Sequence, residues 1–404
     1  LIIVFGGSGL VGDVGKNLLQ SCPYIDMVVD GEGEEALLQL AQLQHLPDEN
    51  ELDGICNLWF RGTAGEVRKT SQSVMPNLES VAAPNYSEYF DLTNRLTFPQ
   101  SCVVLPTEAS RGCAWEHRCG SKELSGCTFC GLYRNSPNYR EKSLGKIISD
   151  IEQVVEQNKV LELSFVDAYL PDSYRNDLLR HLSVTSSDVT LFCELRCNLD
   201  DETAALLARA GARKVQLGVE SFHSGILNRI EKGVRAIDNI NSMKLCEEYR
   251  IPYQYNLITI IPGVLASEVL EMVEFLPILY GFQPPSIARF YLDRGSRMFR
   301  EPQAYGIVPE SLDSPPPSYL TSGLAQNRVT QYVSFRCQTD CDTEEVWKLV
   351  NAQIARWSEI HALAASFGLS SPLSYRDGGN FLTITDCRDG EVVLLTLNAL
   401  LRGV

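Results

Sequence analysis

Between residues 101 and 291, short apolar runs of strand length alternate with segments of helical pattern, six times over. The apolar runs fall at 102–105, 161–166, 189–193, 215–219, 253–260 and 287–291. Helical patterns lie between them at 143–157, 173–182, 202–210, 237–249 and 267–279. Strands that are apolar throughout belong in a sheet covered on both faces, and consecutive parallel strands need a crossover between each pair. Crossovers that all keep one hand roll such a sheet up. The pattern predicts a (β/α)6 partial TIM barrel within residues 96–306.

The flanks read differently. Residues 1–5 are one apolar, β-branched run, followed at once by Gly6-Gly-Ser-Gly9. A short helix is expected over 14–19, a second strand over 25–29 ending at Gly31-Glu-Gly-Glu34, and an amphipathic helix over 35–43. That rhythm predicts a Rossmann-like α/β domain. Because Leu1 opens inside a strand, further residues are expected upstream of it. Residues 45–100 are richer in polar and turn residues and read as a linker, so the first domain plus linker is set at 1–95. Beyond Gly306, Pro315-Pro-Pro317 breaks the pattern. A small α+β C-terminal domain is expected over 307–404, with a helix at 343–367 and strands at 381–385 and 391–397. Its aromatics Tyr332, Phe335, Trp347 and Trp357 read as core.

Composition excludes several classes. The chain has 404 residues, with 35 Lys and Arg against 51 Asp and Glu, a formal net charge of −16. A phosphate-tracking nucleic-acid binder needs clustered cations instead. No apolar run reaches the ~18–20 residues of a membrane span, and no secretory signal opens the chain. A soluble, cytoplasmic protein without nucleic-acid or membrane partners is expected. Its 13 cysteines are an odd number, so a disulfide framework is not expected. Most are scattered through apolar surroundings and read as small buried hydrophobes. Cys113, Cys119, Cys127 and Cys130 instead crowd into one loop after the first barrel strand.

In an α/β barrel the C-terminal strand ends form the active face. Cys127 and Cys130, two residues apart, can face one metal centre, and a third thiolate from the same loop completes a three-thiolate site. Three ligands on a four-iron cluster leave one iron open, which is the pattern of radical SAM enzymes, where S-adenosylmethionine (SAM) takes the open position. The spacing departs from that superfamily's familiar three-residue first gap. Cys113, which follows the strand and Ser110-Arg-Gly, is the preferred first ligand, and Cys119 is the alternative. A structural zinc held by all four thiolates is the competing reading. Around the loop, Asp167, Glu194, Arg196, Glu220, Asn256 and Arg289 stand at or near strand ends. Each alone could be a satisfied core polar group; together they form a ring of donors and carboxylates. A carboxylate such as Glu194 suits ribose hydroxyls, and a guanidinium such as Arg196 suits the methionyl carboxylate.

The stretch from Ser110 to Ile307 resembles the cobalamin-dependent radical SAM enzymes that modify ribosomally made peptides. The resemblance is carried by Ser110-Arg-Gly-Cys113-Ala-Trp115, Cys127-Thr-Phe-Cys130-Gly-Leu132, Arg140-Glu-Lys-Ser143 and Gln216-Leu-Gly-Val-Glu-Ser221. It continues in Lys232-Gly-Val234, Asn256-Leu-Ile-Thr-Ile-Ile-Pro-Gly263, Gln283-Pro-Pro285 and Leu382-Thr-Ile-Thr-Asp-Cys-Arg388. Upstream, Gly31-Glu-Gly-Glu34 and Ala83-Pro-Asn-Tyr-Ser-Glu-Tyr-Phe90 resemble the end of the family's cobalamin domain and its linker. The loop between Cys113 and Cys127 is longer than in the peptide-maturing group, and Val264 stands where relatives often carry Glu.

The resemblance implies three cofactors: a [4Fe-4S] cluster on Cys113, Cys127 and Cys130, SAM, and cobalamin. On the SAM side it implies Phe129, Asp167, Glu194, Arg196, Glu220, Asn256 and Arg289. On the cobalamin side it implies Gly6, Gly7, Ser8, Gly31 and Glu32. No histidine precedes His45, so cobalt either has no histidine ligand or takes one from upstream residues. The implied activity is methyl transfer from SAM, via methylcobalamin, to an unactivated carbon of a precursor peptide, with an external electron donor. The alternatives are a non-methylating outcome, a small-molecule substrate, or a non-catalytic carrier of Fe–S or cobalamin.

Overall fold

A computed structural model describes residues 1–10, 12–43, 45–73, 77–96, 103–115, 126–131, 139–185, 188–309, 332–333, 335–337 and 342–398. Cys102, Cys119, Leu132, Pro315-Pro-Pro317 and Cys341 lie outside the described residues. The chain forms two compact units, whose limits differ from the three sequence segments. The first comprises Leu1–Val81, Ser110–Lys142 and Tyr291–Gln338; the second comprises Ala82–Ala109, Ser143–Phe290 and Thr339–Val404. Among the described residues, no helix is long and apolar enough to cross a membrane.

The first unit is built on a four-stranded sheet, β1 (Val4–Phe5), β2 (Met27–Val29), β3 (Leu58–Arg61) and β4 (Val67–Lys69), in that spatial order. β1 and β2 run parallel, while β3 and β4 are antiparallel additions. Strand alternation sorts the core onto two faces. Met27, Val29, Leu58 and Phe60 pack with Ala36, Leu52 and Ile55, while Val28 and Trp59 pack with Leu19, Cys22 and Ile25. Helices Glu34–Gln42 and Asp13–Ser21 supply those covers. The supposed linker from 45 onward therefore contains sheet: β3 is only four residues long, too short for its pattern to register. Asp48 starts the preceding helix Glu49–Asp53 with a reciprocal capping box to Glu51. The unit also holds the two-stranded pairs β6 (Ser110–Arg111) with β7 (Arg140–Glu141), β13 (Leu292–Asp293) with β15 (Tyr332–Val333), and β14 (Ile307–Pro309) with β16 (Phe335–Cys337).

The second unit carries the expected parallel sheet. Its strands are β5 (Leu105–Thr107), β8 (Glu162–Phe165), β9 (Thr190–Leu195), β10 (Ala212–Glu220), β11 (Tyr253–Thr259) and β12 (Ser286–Arg289). They stand in sequential order, every neighbouring pair parallel, as successive β/α units of a partial barrel require. Helices Leu144–Asn158, Arg175–Val184, Asp201–Arg209, Ala236–Glu248 and Ala266–Phe275 make the crossovers. On β9, Leu191, Cys193 and Leu195 are buried while Thr190, Phe192 and Glu194 are half-buried, so one face meets the helices and the other faces the barrel interior. The C-terminal helix Asp342–Ser366 packs on Ala266–Phe275. Its Trp357, fully buried, donates from Nε1 to the Phe282 carbonyl at 2.8 Å and lies against Phe222 and Tyr280. An antiparallel sheet of β17 (Leu373–Asp377), β18 (Phe381–Asp386) and β19 (Val393–Asn398) completes the unit.

Candidate functional site

The interior face of the barrel sheet carries a polar row. Register places Gln216 beside Glu194 on one side and Gln254 on the other, and Gln254 donates to Gln216 Oε1 at 2.9 Å. Asn256, two residues beyond Gln254, is on the same face and exposed. Arg289 is not. It pairs with Thr259, an odd step from Gln254, and alternation turns it to the opposite face.

Above this row, Arg196 follows β9, is buried, stacks 5.8 Å from the Tyr169 ring centroid and donates to the Lys232 carbonyl. Glu220 ends β10 and pairs with Lys232 Nζ at 2.7 Å. Its φ is 61°, a left-handed conformation that costs a non-glycine residue free energy. Asn239, fully buried, holds it there by donating from Nδ2 to the carbonyls of Val219 and Ser221, at 2.9 and 2.8 Å. Gly218 is needed for the same arrangement, since a Cβ would lie 2.8 Å from Lys232 Nζ. Burial, and then the Glu220 carboxylate, push the Glu194 carboxyl above the usual carboxylate range, with Lys232 pulling it back in part.

Asp167 takes a backbone-holding position. Its two oxygens accept from Ala109 N–H at 3.2 and 3.1 Å, and Tyr174 Oη donates to the Ala109 carbonyl at 3.2 Å. Both polar groups of the residue that precedes Ser110 are thus fixed.

In the first unit, Cys113 and Cys127 are half-buried and Cys130 is exposed. Gly112 and Gly126, each immediately before a cysteine, have φ of 91° and 89°, which glycine adopts without strain. Cys130 N–H donates to the Cys127 carbonyl at 3.2 Å, closing a tight turn that contains the half-buried Phe129. Gly131 lies against the 293–295 segment, where a Cβ would come within 2.1 Å of Asp293 Oδ1. Among the described residues, no three His, Cys, Asp or Glu side chains already surround one point. The fit to a cluster is therefore one of donor chemistry: soft thiol ligands suit iron–sulfur clusters. Thr128, between two of the thiols, is wholly buried, and among the described residues its hydroxyl has no hydrogen-bond partner.

The glycine turn fits a close-lying ligand. Gly7 and Gly31 have φ of 107° and 110°, and a Cβ on either would meet nothing within 4 Å. Conformation demands glycine at both, and the space beside the backbone is open. Glu32 is engaged by Arg140 and Arg111. Sequence reasoning missed Asp30, which is 1% exposed at the end of β2, accepts from Gly12 N–H at 2.8 Å and Trp59 Nε1 at 3.1 Å, and pairs with Lys69. An acid closing an apolar strand was the available signal. Lys232 entered the sequence reading only as part of Lys232-Gly-Val234, with no role assigned, and Asn239 was missed, since nothing in its spacing marks it.

A parallel barrel sheet with a cysteine-bearing loop after its first strand defines a class, and comparison agrees. Residues 118–276 match the Radical SAM superfamily. The fold resembles OxsB, a cobalamin-dependent S-adenosylmethionine radical enzyme, in its aqua-cobalamin-bound structure. The TM-score is 0.63 at 15% identity, covering 90% of this chain and 55% of that one. TsrM, a radical S-adenosylmethionine methyltransferase from Kitasatospora setae, gives 0.61 at 18% identity, covering 86% and 72%. An uncharacterized methyltransferase of Pyrococcus horikoshii is 22% identical over 262 residues, 64% of this chain and 54% of that protein. The anaerobic magnesium-protoporphyrin IX monomethyl ester cyclase of Rubrivivax gelatinosus is 22% identical over 268 residues, 64% and 45% of the two chains. The chain spans about half the length of these curated relatives. The expected α/β class with a parallel radical SAM sheet is borne out.

Proposed function

We propose that the chain belongs to a cobalamin-dependent radical SAM methyltransferase acting at an unactivated carbon of a peptide. The observation that carries this reading is the presence in one chain of a radical SAM match and a Rossmann-like sheet whose glycine turn leaves its backbone open. The fold-level likeness to OxsB and TsrM supports it.

Cys113, Cys127 and Cys130 would hold the [4Fe-4S] cluster, with Cys119 as the alternative to Cys113. Glu194 would accept the ribose hydroxyls of SAM, and Arg196 would take its methionyl carboxylate, its guanidinium already oriented by Tyr169 and the Lys232 carbonyl. Glu220 and Asn256 would border the same ligand, while Asp167 would act on it only through Ala109. Gly6, Gly7, Ser8 and Gly31 would line the cobalamin. When bound, the cluster would supply an electron from an external donor and cobalamin would carry the methyl group. The protein's share is binding, orientation and exclusion of water. A reducing cytoplasm suits that chemistry.

The likeness to the cyclase supports a second reading, a non-methylating outcome on a small molecule. Anaerobic incubation with SAM, reductant and either candidate peptides or candidate small molecules separates the two. The first reading predicts a peptide heavier by one methyl group. A product that has lost hydrogen without gaining carbon supports the second and overturns the first.

A further inference from the structure

Charged residues from three of the sequence motifs meet in the first unit. Arg140 forks onto Glu32, with Nη2 2.5 Å from Oε1 and Nη1 3.1 Å from Oε2. Arg111 reaches both acids, its Nη2 2.5 Å from Glu34 Oε1 and its Nη1 3.6 Å from Glu32 Oε1. The two arginines are register partners across β6 and β7. The side chains of Arg111, Glu32 and Arg140 are only 17%, 16% and 10% exposed. The Arg140–Glu32 and Arg111–Glu32 pairs are therefore screened little by salt, whereas Glu34, 41% exposed, leaves its pair with Arg111 open to screening; the fork fixes the direction of Arg140–Glu32 as well as its distance.

The positions of these four residues give the network a use. Glu32 lies in the loop that leaves β2 through the left-handed Gly31, beside the glycine turn after β1, and Glu34 opens the helix Glu34–Gln42 that follows. Arg111 stands two residues before Cys113, and Arg140 holds the strand that returns from the cysteine loop. Ion pairs thus join residues 32 and 34 to the strands that flank the cysteine loop.

We propose that Glu32, Glu34, Arg111 and Arg140 form a clasp that couples ligand binding beside the glycine turn to the positioning of the cysteine loop. The proposal rests on the cofactor reading given above and deepens it: Arg111 and Arg140 are positioning residues, acting through the backbone of β6 and β7.

The test is linkage. Hydroxocobalamin affinity is measured by absorbance titration of the full chain, before and after anaerobic reconstitution of its iron–sulfur cluster. Loading the cluster should tighten cobalamin binding in the wild type by at least about 5-fold, the lower end of site-to-site coupling. In Glu32→Gln that ratio should fall to about one, because the clasp is cut. Arg140→Lys keeps the charge but loses the fork, so its ratio should fall between the two, and it serves if Glu32→Gln fails to fold. Hydrogen exchange of the 110–115 amides, read on the cofactor-free protein, should quicken in both variants. A ratio in folded Glu32→Gln or Arg140→Lys equal to that of the wild type overturns the clasp alone. So does a wild type that binds both groups with a ratio of one. A wild type that holds neither iron nor cobalamin overturns the cofactor reading, and the clasp with it.

Discussion

At Glu194 binding and folding pull in opposite directions. Its carboxyl is pushed above the usual carboxylate range by burial and by Glu220, so the folded chain holds this proton more tightly than the unfolded chain does. The stability it contributes is present below the ordinary carboxylate range and is lost as pH rises through the raised value. Glu194→Gln removes that pH-dependent loss. Thermal unfolding of the cofactor-free protein should show the variant at least as stable as wild type at neutral pH, with the difference narrowing in acid. The same change should weaken SAM binding by roughly tenfold or more, since a hydrogen bond to a charged group is worth about 1.5–3 kcal/mol. A destabilised variant with unchanged SAM affinity would reject the role given to this residue. Cysteines divide along a related line. Burial pushes the thiols of Cys193, Cys197 and Cys246 up to about 12, so iodoacetamide at neutral pH should leave them unmodified in the folded protein. Cys130, exposed, should react. Peptide mapping after labelling reads both outcomes. Sequence context already set these groups apart, because Cys193, Cys197 and Cys246 stand in apolar or mixed surroundings while Cys113, Cys127 and Cys130 crowd into one loop.

Strand β10 shows what an element adds to its residues. Its pairing with β11 shifts register between Leu217 and Glu220, where the chain turns left-handed and aims the Glu220 carboxylate at Lys232. Asn239→Ala would leave two buried carbonyls without their donor, at a cost of about 1–3 kcal/mol. The urea midpoint should fall accordingly, and SAM affinity should fall with it as Glu220 relaxes. Gly218→Ala makes a cleaner comparison. The added methyl displaces only the flexible end of Lys232, so stability should change little while the Glu220–Lys232 pair opens and SAM affinity drops. The six barrel strands were legible because buried parallel strands are apolar throughout, and observed and expected limits differ by a few residues, most at β5. β3 and β4 were not, since a four-residue strand and a three-residue one give no period to read. Nor was the partnership of Glu32 with Arg140, which joins residues 108 positions apart. Nor was the face of Arg289, since a strand-end position alone does not say which way a side chain turns.

For the whole molecule, the sequence order of motifs and their spatial grouping differ. Read linearly, the cysteine loop is an insertion in the barrel; in space it groups with the Rossmann-like sheet. That grouping depends on contacts between distant segments, which no local pattern records. The glycine turn and cysteine cluster stood out in the sequence because each uses a residue type that ordinary packing does not favour. The proposed function has SAM cleaved reductively at a cluster held by Cys113, Cys127 and Cys130. Mass spectrometry for 5′-deoxyadenosine, after anaerobic incubation of reconstituted protein with SAM, cobalamin and a strong reductant, tests it most directly. The wild type should form 5′-deoxyadenosine and Cys127→Ala none, and the iron content of the variant should also fall. A wild type that retains its iron and cobalamin yet forms no 5′-deoxyadenosine, or a Cys127→Ala variant that forms as much as wild type, would contradict it.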